Sequence, residues 1–194
     1  EYVFAYLLHF GRNLSKQFED QKKKVWDRKR PERLRGKAMG ILGLGSVGKE
    51  IAKRGKQFGM RVLGVKKDPK LMSYVDQVFG PGDLTEIIPV VDYLVVALPI
   101  TPETYHLLGE EELNLIKKGA TLFNIGRGTV IDERALTKVL KDGRIRAVLD
   151  VFETEPLPAE SELWDLENVV ITPHVSGINI PEEICEEFIK NYRR

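Results

Sequence analysis

Short apolar runs alternate along the chain with longer amphipathic segments. The runs are continuously apolar rather than alternating, which is typical of strands in a parallel sheet that is covered on both faces. We therefore predict an α/β fold, a doubly wound parallel sheet with helices on both faces. The predicted strands are residues 38–42, 61–65, 92–98, 120–125, 145–150 and 169–172. The predicted helices between them are residues 49–58, 83–91, 110–118 and 132–141, with Asp83 and Asp132 as N-caps of the second and fourth.

A glycine-rich turn follows the first predicted strand and leads into the first predicted helix. Its glycines, Gly43, Gly45 and Gly48, fit the pattern G-x-G-x-x-G in the strand–turn–helix context where that pattern binds a dinucleotide. Gly43 allows the tight turn, Gly45 lets the backbone approach a pyrophosphate, and Gly48 lets the helix pack on the strand. The free N–H groups at the start of the helix would face the phosphates. The turn therefore predicts a dinucleotide-binding unit of the Rossmann type.

The two ends of the chain have different patterns. Residues 1–19 repeat apolar side chains at helical spacing, so we predict one helix that lies outside the nucleotide unit and packs on a partner subunit. Residues 20–37 are dense in lysine and arginine, and a solvated connector is favoured over a nucleic-acid surface because acidic residues intervene. Residues 181–194 are predicted as a final charged helix. These boundaries divide the chain into residues 1–30, a dinucleotide-binding domain at 31–177, and residues 178–194.

Composition narrows the classes of function. The 194 residues suit one domain or slightly more, and 30 basic and 29 acidic residues leave a net charge of +1, which indicates neither a nucleic-acid nor a membrane surface. The apolar stretch at residues 2–10 is too short to span a bilayer and has no signal-peptide features. Cys185 is the one cysteine, so no internal disulfide is possible and a cytoplasmic location is expected. The chain begins without Met inside an apolar stretch, from which we expect a fragment.

The end of the second predicted strand bears on the choice of cofactor. An acid at this position usually accepts hydrogen bonds from the ribose of NAD, but Lys66 and Lys67 follow Val65 directly and the nearest acid, Asp68, is displaced. Two cations suit the additional phosphate of NADP. We therefore expect NAD or NADP, with NADP favoured. The alternative, which stays open, is that both lysines are ordinary surface residues and that the site accepts either cofactor.

Four segments stand at the ends of later predicted strands. They are LPITPET at 98–104, NIGRG at 124–128, LDVFETEPL at 149–157 and TPHVSG at 172–177. In order and spacing they resemble the D-isomer-specific 2-hydroxyacid dehydrogenases. The resemblance covers nearly the whole chain and includes Trp26 and residues 34–37, which lead into the first strand. Four motifs in register are far more specific than the glycine turn alone.

The resemblance implies a three-residue active site for hydride transfer between a nicotinamide and a 2-oxo or 2-hydroxy acid, without a metal. Arg127 would hold the substrate carboxylate and carbonyl oxygen, and His174 would be the general acid–base. Glu155, the acid directly before Pro156, would orient the histidine, whereas Glu153 does not match the motif. The residue chemistry agrees, because an imidazole exchanges a proton near neutrality and a guanidinium matches a carboxylate with two hydrogen bonds.

The resemblance also implies a set of cofactor contacts along the chain. Backbone N–H groups of Ser46 and Val47 would face the pyrophosphate. His106 is expected to be exposed and without a role. The residues expected to border the adenosine and its ribose are Leu98, Pro99 and Thr104. Those expected to border the nicotinamide are Ile125, Gly126, Asp150 and Gly177.

Members of the family carry a second, substrate-binding domain, which is expected to be absent from this chain. We therefore predict that the chain alone binds a dinucleotide and has little or no turnover. The implied activity is that of a 2-oxoacid reductase of the glyoxylate or hydroxypyruvate type, with phosphoglycerate, lactate and phosphonate-type substrates left open. A homodimer is implied as well. A non-enzymatic, dinucleotide-sensing interaction protein, like the corepressors of the same family, stays open as the alternative function.

Overall fold

A single sheet of seven parallel strands forms the centre of the molecule. The computed structural model describes residues 1–70 and 72–177, together with Cys185, Phe188, Ile189 and Tyr192. The helix predicted at 181–194 therefore lies almost entirely outside the described residues. The strands are β1 (Ala38–Leu42), β2 (Arg61–Val65), β3 (Gln77–Phe79), β4 (Tyr93–Val96), β5 (Thr121–Asn124), β6 (Arg146–Leu149) and β7 (Val169–Ile171).

The strand order is β3-β2-β1-β4-β5-β6-β7, so the chain winds outward from β1 in one direction and from β4 in the other. The predicted doubly wound sheet is confirmed, and its switch point lies between β1 and β4. The first two strands have the predicted bounds, while β4 to β7 are slightly shorter than predicted. The sequence did not predict β3, because three residues at a sheet edge that begin with the exposed Gln77 give no apolar run.

Both faces of the sheet are covered by apolar side chains. On β1, Met39 and Ile41 pack into one buried cluster, and Ala38 and Leu42 pack into the cluster on the opposite face. All five residues of the strand are therefore buried. This two-sided burial is the physical reason why the strand is continuously apolar in the sequence.

The helices are α1 (Tyr2–Arg12), α2 (Leu14–Lys23), α3 (Ser46–Gln57), α4 (Leu84–Ile87), α5 (Glu110–Leu115) and α6 (Glu133–Lys141). Helix α3 begins at Ser46, within the glycine turn, which is earlier than predicted, so Gly48 belongs to the first turn of the helix. Helix α5 ends earlier than predicted. Asp132 caps α6 as predicted, since its carboxylate accepts the N–H groups of Arg134 and Ala135, each at 3.0 Å. No helix in the described ranges is long and apolar enough to cross a membrane.

The segment predicted as a helix over 83–91 is different in the structure. It contains a single α-helical turn, α4, between two short 3₁₀ helices, Pro81–Asp83 and Ile88–Val90. Pro89 lacks the N–H group that a longer helix would need. Asp83 occupies the N-cap position of α4 as predicted, but its carboxylate accepts the N–H of Gly80 at 2.8 Å rather than an N–H of that turn.

The N-terminal segment corrects two predictions. The single helix expected over residues 1–19 is two helices, broken at Asn13, whose φ of 54° lies in the left-handed region that asparagine tolerates. The apolar face of α1 is not left for a partner, because Val3, Phe4 and Leu7 are buried in the cluster that also contains Met39. Helix α1 is therefore part of the nucleotide unit.

Candidate active site

All the predicted site residues of the strand ends lie along one edge of the sheet. Because the seven strands are parallel, their carboxyl ends share this edge, where ligands bind in doubly wound folds. The order along the edge runs from the lysines after β2, past the glycine turn after β1, to the loops after β4, β5, β6 and β7. Residues far apart in the sequence thus occupy neighbouring loops.

The glycine turn has two glycines that the fold requires and one that it leaves free. Gly43 has a φ of 101°, and a side chain there would meet the Ala97 carbonyl oxygen at 2.7 Å. A Cβ on Gly48 would lie 1.9 Å from the carbonyl oxygen of Gly43, so α3 packs directly on the turn. A Cβ on Gly45 would have no atom within 4 Å.

The space beside Gly45 is what a dinucleotide site needs. Ser46 and Val47, the first residues of α3, are exposed beside it. The first N–H groups of a helix have no partner within the helix and are available to a phosphate. The residues present therefore fit the pyrophosphate of a dinucleotide, with Gly45 leaving room for its approach.

The end of β2 presents lysines rather than a free acid. Lys66 is half-buried and its N–H donates to the carbonyl oxygen of Phe79 at 3.0 Å. Lys67 is exposed, with Nζ 3.9 Å from a carboxylate oxygen of Glu103. Asp68, the displaced acid, pairs with Lys70 at 2.8 Å. The first polar side chain at this strand end is thus cationic.

The loop after β4 is closed by hydroxyl groups of its own threonines. The Thr104 hydroxyl donates to the carbonyl oxygen of Pro99 at 2.7 Å and accepts the N–H of Thr101 at 2.8 Å. A Cβ on Gly126 would lie 2.5 Å from the carbonyl oxygen of Leu98, so the loop after β5 lies directly against this one. The predicted cofactor contacts at these positions therefore share one surface, which half-buried Ile125 extends.

Arg127 stands in an extended segment between two tightly packed glycines. Its side chain is exposed, and Nη1 donates to the carbonyl oxygen of Gly126 at 2.7 Å. A Cβ on Gly128 would lie 1.9 Å from the carbonyl of Phe152, so the loop that carries Arg127 lies against the loop that carries Glu155. No bond joins Arg127 directly to His174 or Glu155 in the described part of the chain.

His174 and Glu155 form a direct hydrogen bond. The distance between His174 Nδ1 and a carboxylate oxygen of Glu155 is 2.8 Å. Burial raises the pKa of Glu155, but the bonds from His174 and from the N–H of Phe152 lower it more, so its net pKa is below the ordinary value. A charged carboxylate only accepts, so Nδ1 carries the proton of this bond. Nε2 takes no part in this bond.

Asp150 holds the turn on which His174 stands. The side chain is fully buried, and its carboxylate accepts the N–H groups of Val175 at 2.9 Å and Ser176 at 2.8 Å and the hydroxyl proton of Thr172. Burial raises the pKa of Asp150, and these bonds lower it more, to a net value below the ordinary one. Asp150, which was expected to border the nicotinamide, therefore also has a structural role that the sequence did not indicate. Gly177 follows this turn and is exposed.

His106 is not the exposed residue that was expected. It is half-buried, and Nε2 lies 2.9 Å from a carboxylate oxygen of Glu153. Glu153 and Glu133 each accept the other's backbone N–H at 3.1 Å. Burial and the nearby charge of Glu153 raise the pKa of Glu133. This cluster joins the loops after β4 and β6 to the start of α6, and no spacing signal in the sequence could have found it.

Comparisons with known proteins show the family of the chain. Residues 4–176 match the family model described as the NAD binding domain of D-isomer specific 2-hydroxyacid dehydrogenases. A glyoxylate reductase of Pyrococcus horikoshii is 49% identical over 161 residues, 80% of this chain and 47% of the relative. A D-3-phosphoglycerate dehydrogenase of Methanocaldococcus jannaschii is 40% identical over 180 residues, 90% of this chain and 34% of the relative. The chain thus spans about half or less of the length of these curated relatives.

A solved structure shows the same fold at high similarity. It is a D-isomer specific 2-hydroxyacid dehydrogenase family protein from Aeromonas salmonicida, with a TM-score of 0.92 and 43% identity over 100% of this chain and 63% of that one. A relative from Xanthobacter autotrophicus, solved in complex with NADPH and MES, has a TM-score of 0.88 and 35% identity, covering 100% of this chain and 80% of that one. From the family match across the chain, the glycine turn and the four strand-end motifs, we conclude that this chain belongs to the D-isomer specific 2-hydroxyacid dehydrogenases, as their NAD binding domain.

Proposed function

We propose that the chain is the coenzyme-binding domain of an NAD(P)-dependent 2-oxoacid reductase of the glyoxylate or hydroxypyruvate type. The observation that carries this proposal is the 2.8 Å bond between His174 and Glu155, at the sheet edge that also bears the glycine turn and Arg127. Relatives named glyoxylate reductase and glyoxylate/hydroxypyruvate reductase support the substrate class.

The reaction reduces a carbonyl carbon and protonates its oxygen. A nicotinamide cofactor, when bound, supplies the hydride. His174 delivers the proton from Nε2, while Glu155 at Nδ1 stabilises the imidazolium form from which that proton comes. Arg127 offers a planar pair of N–H donors to the substrate carboxylate and orients the carbonyl. The three residues therefore divide the work into binding, proton transfer and support of the proton donor.

The lysines after β2 favour NADP over NAD. Lys66 is the first polar side chain after the strand, and Asp68 is engaged by Lys70 at 2.8 Å. Relatives from Xanthobacter autotrophicus and Sinorhizobium meliloti were solved in complex with NADPH and with NADP, respectively. The proposed preference follows from the charge that meets a 2′-phosphate at this strand end.

The proposed assembly is a homodimer in the cytoplasm. Since the α1 face is covered within the chain, the contact surface must come from elsewhere, and Trp26 and Phe18 are 87% and 62% exposed. Exposed aromatic side chains of this size are enriched at protein interfaces. Light scattering that gives a monomer mass would contradict the dimer.

The single cysteine, Cys185, supports a reducing compartment.

The test combines dinucleotide binding by the chain with turnover of glyoxylate and hydroxypyruvate by the complete gene product that contains it. His174→Ala should lower kcat by about 10²- to 10⁴-fold, because a positioned acid–base is lost. NADPH affinity should change little. His9→Ala is the matched control, because His9 is a half-buried histidine on α1. Unchanged turnover in His174→Ala would contradict the proposed mechanism.

A further inference from the structure

A chain of hydrogen bonds joins the first helix to the turn that carries His174. The Tyr2 hydroxyl lies 2.6 Å from the Thr172 hydroxyl oxygen, although the two residues are 170 positions apart in the sequence. The Thr172 hydroxyl also bonds to the Asp150 carboxylate. Helix α1 is thereby tied directly to the carboxyl ends of β6 and β7.

The donor and the acceptor of each hydrogen bond in this series follow from the groups involved. The Asp150 carboxylate is charged and only accepts, so the single hydroxyl proton of Thr172 is donated to it. Tyr2 must then donate its own proton to Thr172. The surroundings favour this donor state, because burial raises the pKa of Tyr2 and keeps its phenol protonated. Tyr2 is the terminal donor, and its loss would leave Thr172 without that partner.

At the other end of this series of hydrogen bonds, Asp150 holds the backbone of residues 174–176. The Asp150 carboxylate accepts the N–H groups of Val175 at 2.9 Å and Ser176 at 2.8 Å, and its carbonyl oxygen accepts the N–H of His174 at 2.9 Å. His174 has a φ of 55°, in the left-handed region that a residue with a Cβ rarely adopts. Such a conformation persists only when several surrounding contacts fix it.

We infer that Tyr2 is a positioning residue of the site, acting through Thr172 and Asp150 to hold His174 at hydrogen-bonding distance from Glu155. The catalytic meaning of this role rests on the proposed function, whereas the mechanical role rests on the hydrogen bonds alone. Helix α1, which neither the glycine turn nor the strand-end motifs include, thereby belongs to the support of the acid–base.

Tyr2→Phe tests the inference, since it removes only the terminal hydroxyl. A hydrogen bond contributes about 1 kcal/mol, so hydrogen exchange at the amides of Val175 and Ser176 should become about fivefold faster. Exchange at the β-sheet amide of Val95 should not change. In ¹⁵N spectra of the imidazole of His174, the share of the tautomer protonated at Nδ1 should fall. Unchanged exchange at Val175 and Ser176 together with an unchanged tautomer ratio would overturn the inference.

Three further variants distinguish a positioning role of Tyr2 from a general loss of stability. Tyr93→Phe removes the hydroxyl of a buried tyrosine at the start of β4, where the amino ends of the strands lie, and should leave Val175, Ser176 and His174 unaffected. Thr172→Ser keeps the relaying hydroxyl and should preserve the parent exchange rates, whereas Thr172→Val removes the bonds to both Tyr2 and Asp150 and should speed exchange at least as much as Tyr2→Phe. Equal effects of Tyr93→Phe and Tyr2→Phe would overturn the inference.

Turnover of the complete gene product distinguishes this inference from the proposed function. If both hold, Tyr2→Phe lowers kcat about fivefold while the affinity for NADPH stays the same, because only the placement of the proton donor changes. If His174→Ala leaves turnover unchanged, the proposed function fails, but faster exchange at Val175 and Ser176 in Tyr2→Phe still supports the mechanical role. Normal exchange in Tyr2→Phe alongside an inactive His174→Ala variant overturns the inference alone.

Discussion

Two parts of the candidate site are built in opposite ways: the glycine turn, here called the phosphate end, and the turn that carries His174, here called the reaction end. At the phosphate end, Gly45, Ser46 and Val47 are exposed, and a side chain on Gly45 would meet no other atom. At the reaction end, His174 is bonded to Glu155, and the buried Asp150 carboxylate accepts three donors of its own chain. One end leaves its N–H groups to a ligand, whereas the other holds Nδ1 of His174 and the turn that carries it by bonds within the protein.

The difference fits the role that we propose for each end. A phosphate brings its own charge and acceptor oxygens, so free N–H groups at the start of α3 are sufficient to bind it. A proton donor must be held in one orientation before the substrate arrives, because misplacement slows the chemical step. The fold therefore fixes the proposed proton donor with hydrogen bonds of its own chain and leaves the N–H groups at the start of α3 to the ligand.

The largest expected effect separates two glycines of the same turn. Gly48→Ala places a Cβ 1.9 Å from the Gly43 carbonyl oxygen, so α3 must move, and we expect a loss of about 3 kcal/mol in the free energy of unfolding. Gly45→Ala meets no atom of the chain and should cost less than about 1 kcal/mol. It should instead lower NADPH affinity at least about tenfold, because the methyl group occupies the space of the pyrophosphate. Urea unfolding and NADPH titration of both variants measure this, and similar stability losses would contradict the comparison.

Asp150→Asn should be the next largest change, at about 2 kcal/mol, because the amide cannot accept all three donors. The fold lowers the pKa of Asp150, so the charged form contributes its full stability above the ordinary pKa of about 4. That contribution is lost as the pH falls through the lower value of the folded state. The stability difference between parent and variant should therefore be full at pH 7 and shrink on acidification below pH 4. A pH-independent difference in urea unfolding would be inconsistent with this role.

At the phosphate end, the lysines should control affinity rather than stability. Replacing Lys66 and Lys67 together by Ala should weaken NADPH binding about tenfold, or about 1.4 kcal/mol, since two cations facing the 2′-phosphate are lost. NADH affinity should change little. Lys141→Ala, at the C-terminal end of α6, is the matched control. Equal losses for NADH and NADPH would contradict the proposed NADP preference.

The smallest expected effect concerns the cluster of His106, Glu133 and Glu153. His106→Gln removes the 2.9 Å bond to Glu153, whose carboxylate keeps the N–H of Glu133. Because the pair is partly exposed, the expected loss is about 0.5 kcal/mol of unfolding free energy. NADPH affinity should not change. A loss as large as that of Asp150→Asn would show that this cluster fixes the fold as strongly as the buried Asp150 carboxylate does.

The sequence predicted those features for which a residue type has a single structural role. Continuous apolar runs predicted the parallel sheet, and the glycine spacing predicted the turn before α3. Long-range hydrogen bonds gave no such signal, so the ties from Tyr2 to Thr172 and from His106 to Glu153 appear only in the structure. The break at Asn13 was missed because the apolar spacing continues across it while the backbone turns left-handed.

The most direct test of the whole account is a titration of the chain with NADPH in which the chemical shifts of the backbone amides are monitored by NMR. The account predicts one saturable event in which the amides of Ser46 and Val47 shift at the phosphate end and those of Ile125 and Gly177 shift at the reaction end. NADH should produce the same pattern at higher concentration. Shifts confined to one end, or no saturation, would contradict a single dinucleotide spanning from the glycine turn to His174.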